Sequence, residues 1–413
     1  MGSNDLLYIF VNQCMSGVGG GQRYVLAKAK WLLERDWHVV VCHVENGEIV
    51  LEHDGIQFID IPELRAAPRL LGKKKVCSIV QEVLSSCPDA GSTYVESAAP
   101  YLGLWGEEIA RAARGRHLCY VLEEFPKVEA LDFLRFKRGR HELAFIKNSI
   151  AMRALGDLRD VPQEYDDCVL PAYNPSPIGD LPFEGEIQKA DYVIGCVSRL
   201  EKPAVKLMLD GLVSFCAKNA TTSLTVVLVG DTPYDSVRKD IAAYGERLKN
   251  LNVQILGYLS PIPRDLIQKF DLFIGKAGAA SACAGEGVPT IRYTLDTDEV
   301  AGFDQIIEVN GALTLQRADA CNESLPMLLE SALLKGGLAK IRELNGNKRI
   351  TYDCDYLDHM SFIPDSNAFI YYDCWSSKVG IGRSLVSCWI RLFGNTKYEA
   401  FLIALRGRFG KQS

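Results

Sequence analysis

The sequence has no Cys-x-x-Cys pair, no run of about eighteen apolar residues, no basic leader followed by a cleavable apolar segment, and only six histidines. Each absence removes a class. Without paired cysteine spacings, the thirteen cysteines read as reduced, mostly buried thiols, which excludes a disulfide framework and places the chain in a reducing cytoplasm. Without a long apolar run it is expected neither to span a membrane nor to be secreted. The histidines carry no HxxxH spacing, so His117, His141 and the rest favour core or surface roles over metal ligation. Met1-Gly2 opens like a myristoylation signal, but Leu6 stands where that motif needs Ser or Thr. Net charge is −6, so the overall balance gives no support to a nucleic-acid partner.

What is present is length and alternation. A chain of 413 residues exceeds one ordinary core and fits two domains of roughly 150 to 200 residues. Strand-like runs at 6–11, 39–44, 57–61, 93–96, 118–122 and 144–146 alternate with helix-length segments, the order that builds a parallel sheet. Residues 171–186, rich in Pro and Gly, read as a linker. The alternation restarts with strands at 192–198, 225–229, 253–256, 272–274 and 290–292. The predicted fold class is α/β with two doubly wound, Rossmann-like parallel sheets: 1–175 the acceptor domain, 176–190 the linker, 191–375 the donor-nucleotide domain, and 376–413 amphipathic helices.

Four glycine-bearing strand ends carry the chemistry of the second half. After the strand ending at Val197, Arg199 and Lys202 project where open α/β sheets bind ligands, and their charges match a diphosphate. Gly230-Asp231 and Gly257-Tyr258 end the next two strands. Lys276-Ala277-Gly278 opens an Ala-rich helix whose free N–H groups suit a phosphate, and Glu286 follows that helix. The bland alternatives are solvated surface charge and glycine that serves close packing. In the first half, Gly19, Gly20, Gly21 and Gln22 lie between strand and helix, either as an anion cradle or as a packing turn.

These residues resemble the GT-B glycosyltransferases, in particular the retaining family, glycosyltransferase family 4-like, that includes many bacterial cell-surface polysaccharide enzymes. Gly20-Gly21-Gln22-Arg23 is similar to the family's Gly-Gly-x-Glu-Arg signature, Ser198-Arg199-Leu200 with Lys202 to the segment that holds the donor diphosphate, and Gly275 to Pro289 to the donor loop. The resemblance implies two domains facing across a cleft and metal-independent transfer, without a cofactor, from a UDP- or GDP-linked sugar to a glycan or lipid-linked glycan. The sequence departs from the family in four places. Ala282 stands where the family has a ribose-contacting glutamate, Gln22 replaces the N-terminal glutamate, the spacing from Arg199 to Lys202 is two residues shorter than the family's, and no histidine occupies the stretch 120–126. Glu123 and Glu124 are then the candidates for base or sugar-hydroxyl ligand, or else solvated acids at a strand end, with Glu96 a third acidic candidate that ranks behind them. A nucleotide-sugar epimerase of the same architecture and a catalytically silent binding or scaffold subunit remain alternatives.

The tail 378–413 holds seven basic residues against Glu399 alone, interleaved with Trp389, Phe393, Leu402 and other apolar residues. It reads either as a segment lying on an anionic bilayer, which makes the protein peripheral at the inner face, or as helices crossing back onto the first domain. Arg135, Lys137, Arg138 and Arg140 form a second basic run that reads as facing acceptor or membrane. Asp353, Asp355, Asp358 and His359 match no calcium-loop spacing and are not read as a metal site.

Overall fold

The computed structural model describes residues 6–15, 19–44, 53–88, 90–123, 130–155, 165–172, 178–232, 234–294, 299–309, 312–318, 323–345, 349–350, 356–364, 369–378, 381–394, 397–398 and 401. The chain divides into a first unit, residues 1–174 with 354–413, and a second unit, 175–353.

The first unit is built on six parallel strands: β1 (Leu6–Val11), β2 (Trp37–His43), β3 (Ile56–Asp60), β4 (Ser92–Ser97), β5 (Arg116–Val121) and β6 (Leu143–Phe145). Their spatial order is β3-β2-β1-β4-β5-β6. Alternate residues of β1 feed two cores, because successive side chains point to opposite faces. Leu7, Ile9 and Val11 pack with helices α2 (Lys73–Ser85) and α3 (Pro100–Ala113), whereas Tyr8 and Phe10 pack with α1 (Gly20–Leu33). Both faces are covered, as a parallel sheet requires. Helices α4 (Leu131–Arg138) and α5 (Asn148–Leu155) complete the β5–β6 side.

Two buried polar networks fasten this unit. Lys28 of α1 and Glu96 of β4, 0% and 2% exposed, pair at 2.6 Å, and the Tyr8 and Tyr24 hydroxyls lie 2.6 and 2.9 Å from the same carboxylate. The Tyr24 hydroxyl also lies 3.1 Å from His359 Nδ1, while His359 Nε2 donates to the Pro171 carbonyl at 2.9 Å. Glu96, a site candidate by sequence, is instead 2% exposed and taken up by this network. In the second network, Ser97 Oγ lies 2.9 Å from His117 Nε2, and His117 Nδ1 lies 2.7 Å from Glu107, which also accepts from Lys137 and from the backbone N–H of Tyr372. Lys137, in the basic run read as facing acceptor or membrane, is 1% exposed and points inward. Ser97, His117 and Glu107 form a hydroxyl–imidazole–carboxylate relay, but Ser97 and Glu107 are both 0% exposed, so no substrate reaches it. The relay joins α3, β4 and β5 to the returning segment.

That returning segment was not anticipated as a part of the first unit. Residues 356–364 and 369–375, expected within the donor domain, belong to the first unit: Tyr356 and Ile363 join the α1 core, and Cys374 joins the core of α4 and α5. The helix α9 (Ile381–Phe393) follows them and packs on the same unit.

The second unit repeats the plan with β7 (Tyr192–Val197), β8 (Leu224–Val229), β9 (Leu251–Gly257), β10 (Leu272–Gly275), β11 (Thr290–Tyr293) and β12 (Val300–Phe303), in the order β9-β8-β7-β10-β11-β12. Five strands are parallel and β12 is antiparallel to β11. Helix α6 (Pro203–Lys218) covers one face through Met208, Leu209, Leu212 and Phe215; α8 (Ala277–Gly285) lies on the other, and α7 (Asp235–Ala242) follows β8. The strand β12 and a hairpin, Gln305–Val309 with Ala312–Gln316, were absent from the sequence reading. Among the described residues no helix is long and apolar enough to cross a membrane.

The His359 contact makes stability depend on pH. Burial, and next the Lys28 charge, hold its imidazole down at about 4, against an ordinary value near 6.5. The unfolded chain therefore takes up a proton near pH 6.5 that the folded one refuses until about pH 4. Stability fully present above pH 6.5 should fall by about 3 kcal/mol as pH drops to 4. Urea unfolding across that range should show the loss in the wild type and a clearly flatter profile in His359→Leu; parallel profiles would contradict it.

Candidate functional site: a strand-end cation cluster

In the second unit β7 lies between β8 and β10, so the chain leaves its carboxyl end toward one neighbour and enters the other from a distance. Such a switch point is where open α/β sheets take ligands. Two helix N-termini flank it. Helix α6 begins after Lys202, its N-cap, with Pro203 at the first turn, and α8 begins after Lys276, also an N-cap. Neither helix has an acidic residue in its first turn or a capping side chain. Side-chain positive charge thus adds to the positive end of each dipole, a combination that favours an anion.

Arg199 and Lys202 sit on the first of three loops that the backbone laces together. Ser198 N–H donates to Val229 O, Leu200 N–H to Asp231 O, and Gly230 N–H to Gly257 O at 2.7 Å. Gly230 has φ +146°, and a Cβ there would lie 1.9 Å from Ser198 O. Glycine is thus obligatory at this position for both reasons. Gly257, with φ +77°, closes the third loop. Asp231 is held as a carboxylate, first by the Thr232 backbone N–H at 2.7 Å and then by Arg238. Tyr258, 51% exposed, has its hydroxyl raised by partial burial and by the Glu201 charge, with Arg199 opposing. Arg199 is 54% exposed and lies 3.7 Å from Glu201. The structure therefore brings Arg199, Lys202, Gly230, Asp231, Gly257 and Tyr258 into one cluster, with Lys276, Ala277 and Gly278 at the adjoining strand end.

Ala277 carries a strained backbone, φ +56°, which L-residues other than Asn and Asp rarely adopt. Arg292 of β11 holds it there. The guanidinium is 7% exposed; it pairs with Asp304 through bonds of 2.6 to 3.0 Å and donates to Ala277 O and Ser281 Oγ. Neither Arg292 nor Asp304 was a sequence candidate. Their only sequence signal was charge inside an otherwise apolar strand run.

Glu286 does not join the cluster. It follows the C-terminus of α8, a helix that runs away from Lys276, and accepts from Arg264 Nε at 3.1 Å. A nine-residue helix rises about 13 Å, so a donor phosphate at Lys276 is out of reach of this carboxylate. Ala282, where the resemblance places an acid, is 6% exposed within α8.

The first unit has its own switch point beside β1. Gly19 is the N-cap of α1, and a Cβ on it would meet Gln22 Oε1 at 2.6 Å, so glycine lets the Gln22 amide fold back over the helix start. Gly20 and Gly21 form the first turn, again without an acid, and a Cβ on Gly21 would touch Leu122. Leu122 thus lies against the glycine turn, and Glu123, half-buried, follows it in the chain after β5. Glu124, Asp353 and Asp355 lie outside the described residues.

Neither family models nor curated proteins give any match to the sequence. Solved structures do. A glycosyltransferase from Rickettsia africae ESF-5 is similar over 83% of this chain and 92% of its own, at 16% identity and TM-score 0.57. S. aureus TarM is similar over 84% and 96%, at 9% identity and TM-score 0.53. The E. coli trehalose-6-phosphate structure bound with UDP-2-fluoro glucose is similar over 83% and 94%, at 12% identity and TM-score 0.50. At these identities the likeness is one of fold, and the chain has the two-unit α/β fold of the GT-B glycosyltransferases.

Gly230→Ala should destabilise the second unit by about 2 to 4 kcal/mol, because it adds both a clash and backbone strain. Thermal unfolding checks this, and an unchanged midpoint would contradict the close loop packing.

Proposed function

We propose that the protein transfers a sugar from a nucleoside-diphosphate sugar, UDP- or GDP-linked, to a glycan or lipid-linked glycan in polysaccharide synthesis. The observation that carries the reading is the cluster of Arg199, Lys202 and Lys276 around two helix N-termini without a first-turn acid, at a switch point of the second sheet. In this reading the donor diphosphate lies across these three cations. The C–O bond to the anomeric carbon breaks as negative charge grows on the departing phosphate oxygen. Cations and N–H groups fixed in advance stabilise that charge more than they stabilise the bound donor, which lowers the barrier. The same positive charge meets the electrostatic requirement without a bound metal. Gly257-Tyr258 and Gly230-Asp231 border the nucleotide, and the acceptor binds the first unit with Glu123 or Glu124 as base or hydroxyl ligand. A retaining outcome, in the manner of glycosyltransferase family 4, belongs to the same proposal. Among the neighbours, a variant of S. aureus TarM was captured with UDP, which is compatible with this donor class.

The described cysteines are all free thiols, in keeping with a cytoplasmic site of action. Ala282 favours one second reading: with an apolar side chain in the donor helix, the protein binds a sugar nucleotide without turning it over.

Titration of the full chain with a panel of UDP- and GDP-sugars, followed by an acceptor-dependent assay for released nucleoside diphosphate, separates the two readings. Release that requires acceptor supports transfer; binding without release supports the silent subunit. Arg199→Ala should weaken binding of the preferred donor about 10- to 100-fold, since a hydrogen bond to a charged group is worth about 1.5 to 3 kcal/mol. Unchanged affinity would remove Arg199 from the site.

A further inference from the structure

The helix α9 is amphipathic in the reverse sense. A helix on a protein surface ordinarily turns its apolar stripe inward. Here the inner face is fixed by polar contacts: Arg383 donates to Arg65 O at 2.7 Å and lies 4.0 Å over the Tyr101 ring, and Ser387 Oγ accepts from Ala67 N–H at 3.1 Å. Among the described side chains of α9, Ile390, at 6% exposed, is the one buried apolar residue. At 100° per residue, Leu385, Cys388, Trp389, Leu392 and Phe393 fall on one outward arc of about 140°. Leu385 is 68% exposed, Leu392 73% and Phe393 51%. Trp389 is half-buried: it packs at a tilt against Phe393 and stacks on Phe401, and its buried indole N–H finds no acceptor among the described residues. No charged residue interrupts the arc, and α9 contains no acid.

Basic residues border this arc. Arg391 is exposed and reaches Leu70 O at 3.5 Å, in the turn that leads through Gly72 into α2. Helix α2 opens on Lys73-Lys74-Lys75, all exposed, with no acid in its first turn. Three ammonium groups at the positive end of a helix dipole are unfavourable unless something anionic faces them. Glu63 meets Lys75 at 2.9 Å, and Lys73 leans over Trp375; both contacts are solvent-exposed and local. The segment that carries α9 holds seven basic residues and one acid from Lys378 onward, in a chain whose net charge is −6.

We propose that the outer face of α9 and the Lys73–Lys75 cluster form a docking surface for an anionic lipid bilayer. The apolar arc enters the boundary between headgroups and acyl chains through Leu385, Leu392 and Phe393, and Arg391 with the three lysines faces the phosphates. Charge complementarity selects this occupant: an isologous contact with a second copy would bring the same lysine clusters into one interface. The surface lies wholly on the first unit, to which a lipid-linked acceptor is assigned above. Its evidence is independent of the donor site.

Co-sedimentation of the full chain with vesicles tests it, using phosphatidylcholine alone and phosphatidylcholine in which about a third of the lipid is phosphatidylglycerol. Binding should require the anionic lipid and weaken at high salt. Leu385→Asp/Leu392→Asp and, separately, Lys73→Glu/Lys74→Glu should each lower the partition coefficient about tenfold or more, with thermal unfolding and sugar-nucleotide affinity unchanged. Absence of binding to anionic vesicles, equal binding by wild type and variants, or a dimer in sedimentation that Leu385→Asp/Leu392→Asp dissolves would each overturn the proposal. Because vesicle binding is read without donor, its failure leaves the sugar-transfer reading standing, and the converse also holds.

Discussion

Both sheets set their first strand between the second and the fourth, and this constraint governs what the molecule can do. At the carboxyl end of that central strand, the chain departs toward one neighbour while the other neighbour's loop departs in the opposite sense. A crevice opens that no crossover covers, and two helix N-termini border it. In the second unit those N-termini are capped by Lys202 and preceded by Lys276, with Arg199 beside them. The fold supplies partial positive charge from peptide dipoles and the sequence adds full charges to it. The result is a concentration of positive charge at the strand ends of the second sheet.

Holding such a cluster demands rigidity elsewhere. Gly230 packs directly on Ser198 O, which locks two loops at one height, and the Arg292–Asp304 pair holds the strained Ala277 at the start of α8. A buried ion pair contributes little net stability against an apolar substitute, but it fixes geometry, because removing one partner leaves an uncompensated charge. The first unit uses the same device twice, in Lys28–Glu96 and in the Glu107–His117–Lys137 network. There the fixed elements are α1 and the returning C-terminal segment. These buried groups shape the positions of Gly19–Gln22 and α9 without facing any ligand.

The alternation of apolar runs made the parallel strands legible, and β1 and β8 fall within a residue of their expected limits. Strand ends were legible for the same reason, so Arg199, Lys202, Gly230 and Lys276 could be placed on them before any coordinates. Other features depend on contacts distant in sequence. His359 meets Tyr24 across 335 positions, and Arg383 meets Arg65 across 318. No local period encodes such pairs, which is why residues 356–375 were first assigned to the donor domain. Glu286, a candidate ribose ligand in place of the acid missing at Ala282, stands at the opposite end of α8 from Lys276, a placement set by the length of that helix. The antiparallel strand β12 was missed because its run, Val300–Phe303, is short and contains Gly302.

Amide hydrogen exchange of the full chain, with and without UDP or GDP, tests the central claim most directly. The account predicts that a nucleoside diphosphate slows exchange at 198–202, 230–231, 257–258 and 275–280, where the laced loops and the two helix starts meet. Slowing confined to other segments, or none with either nucleotide, would contradict it.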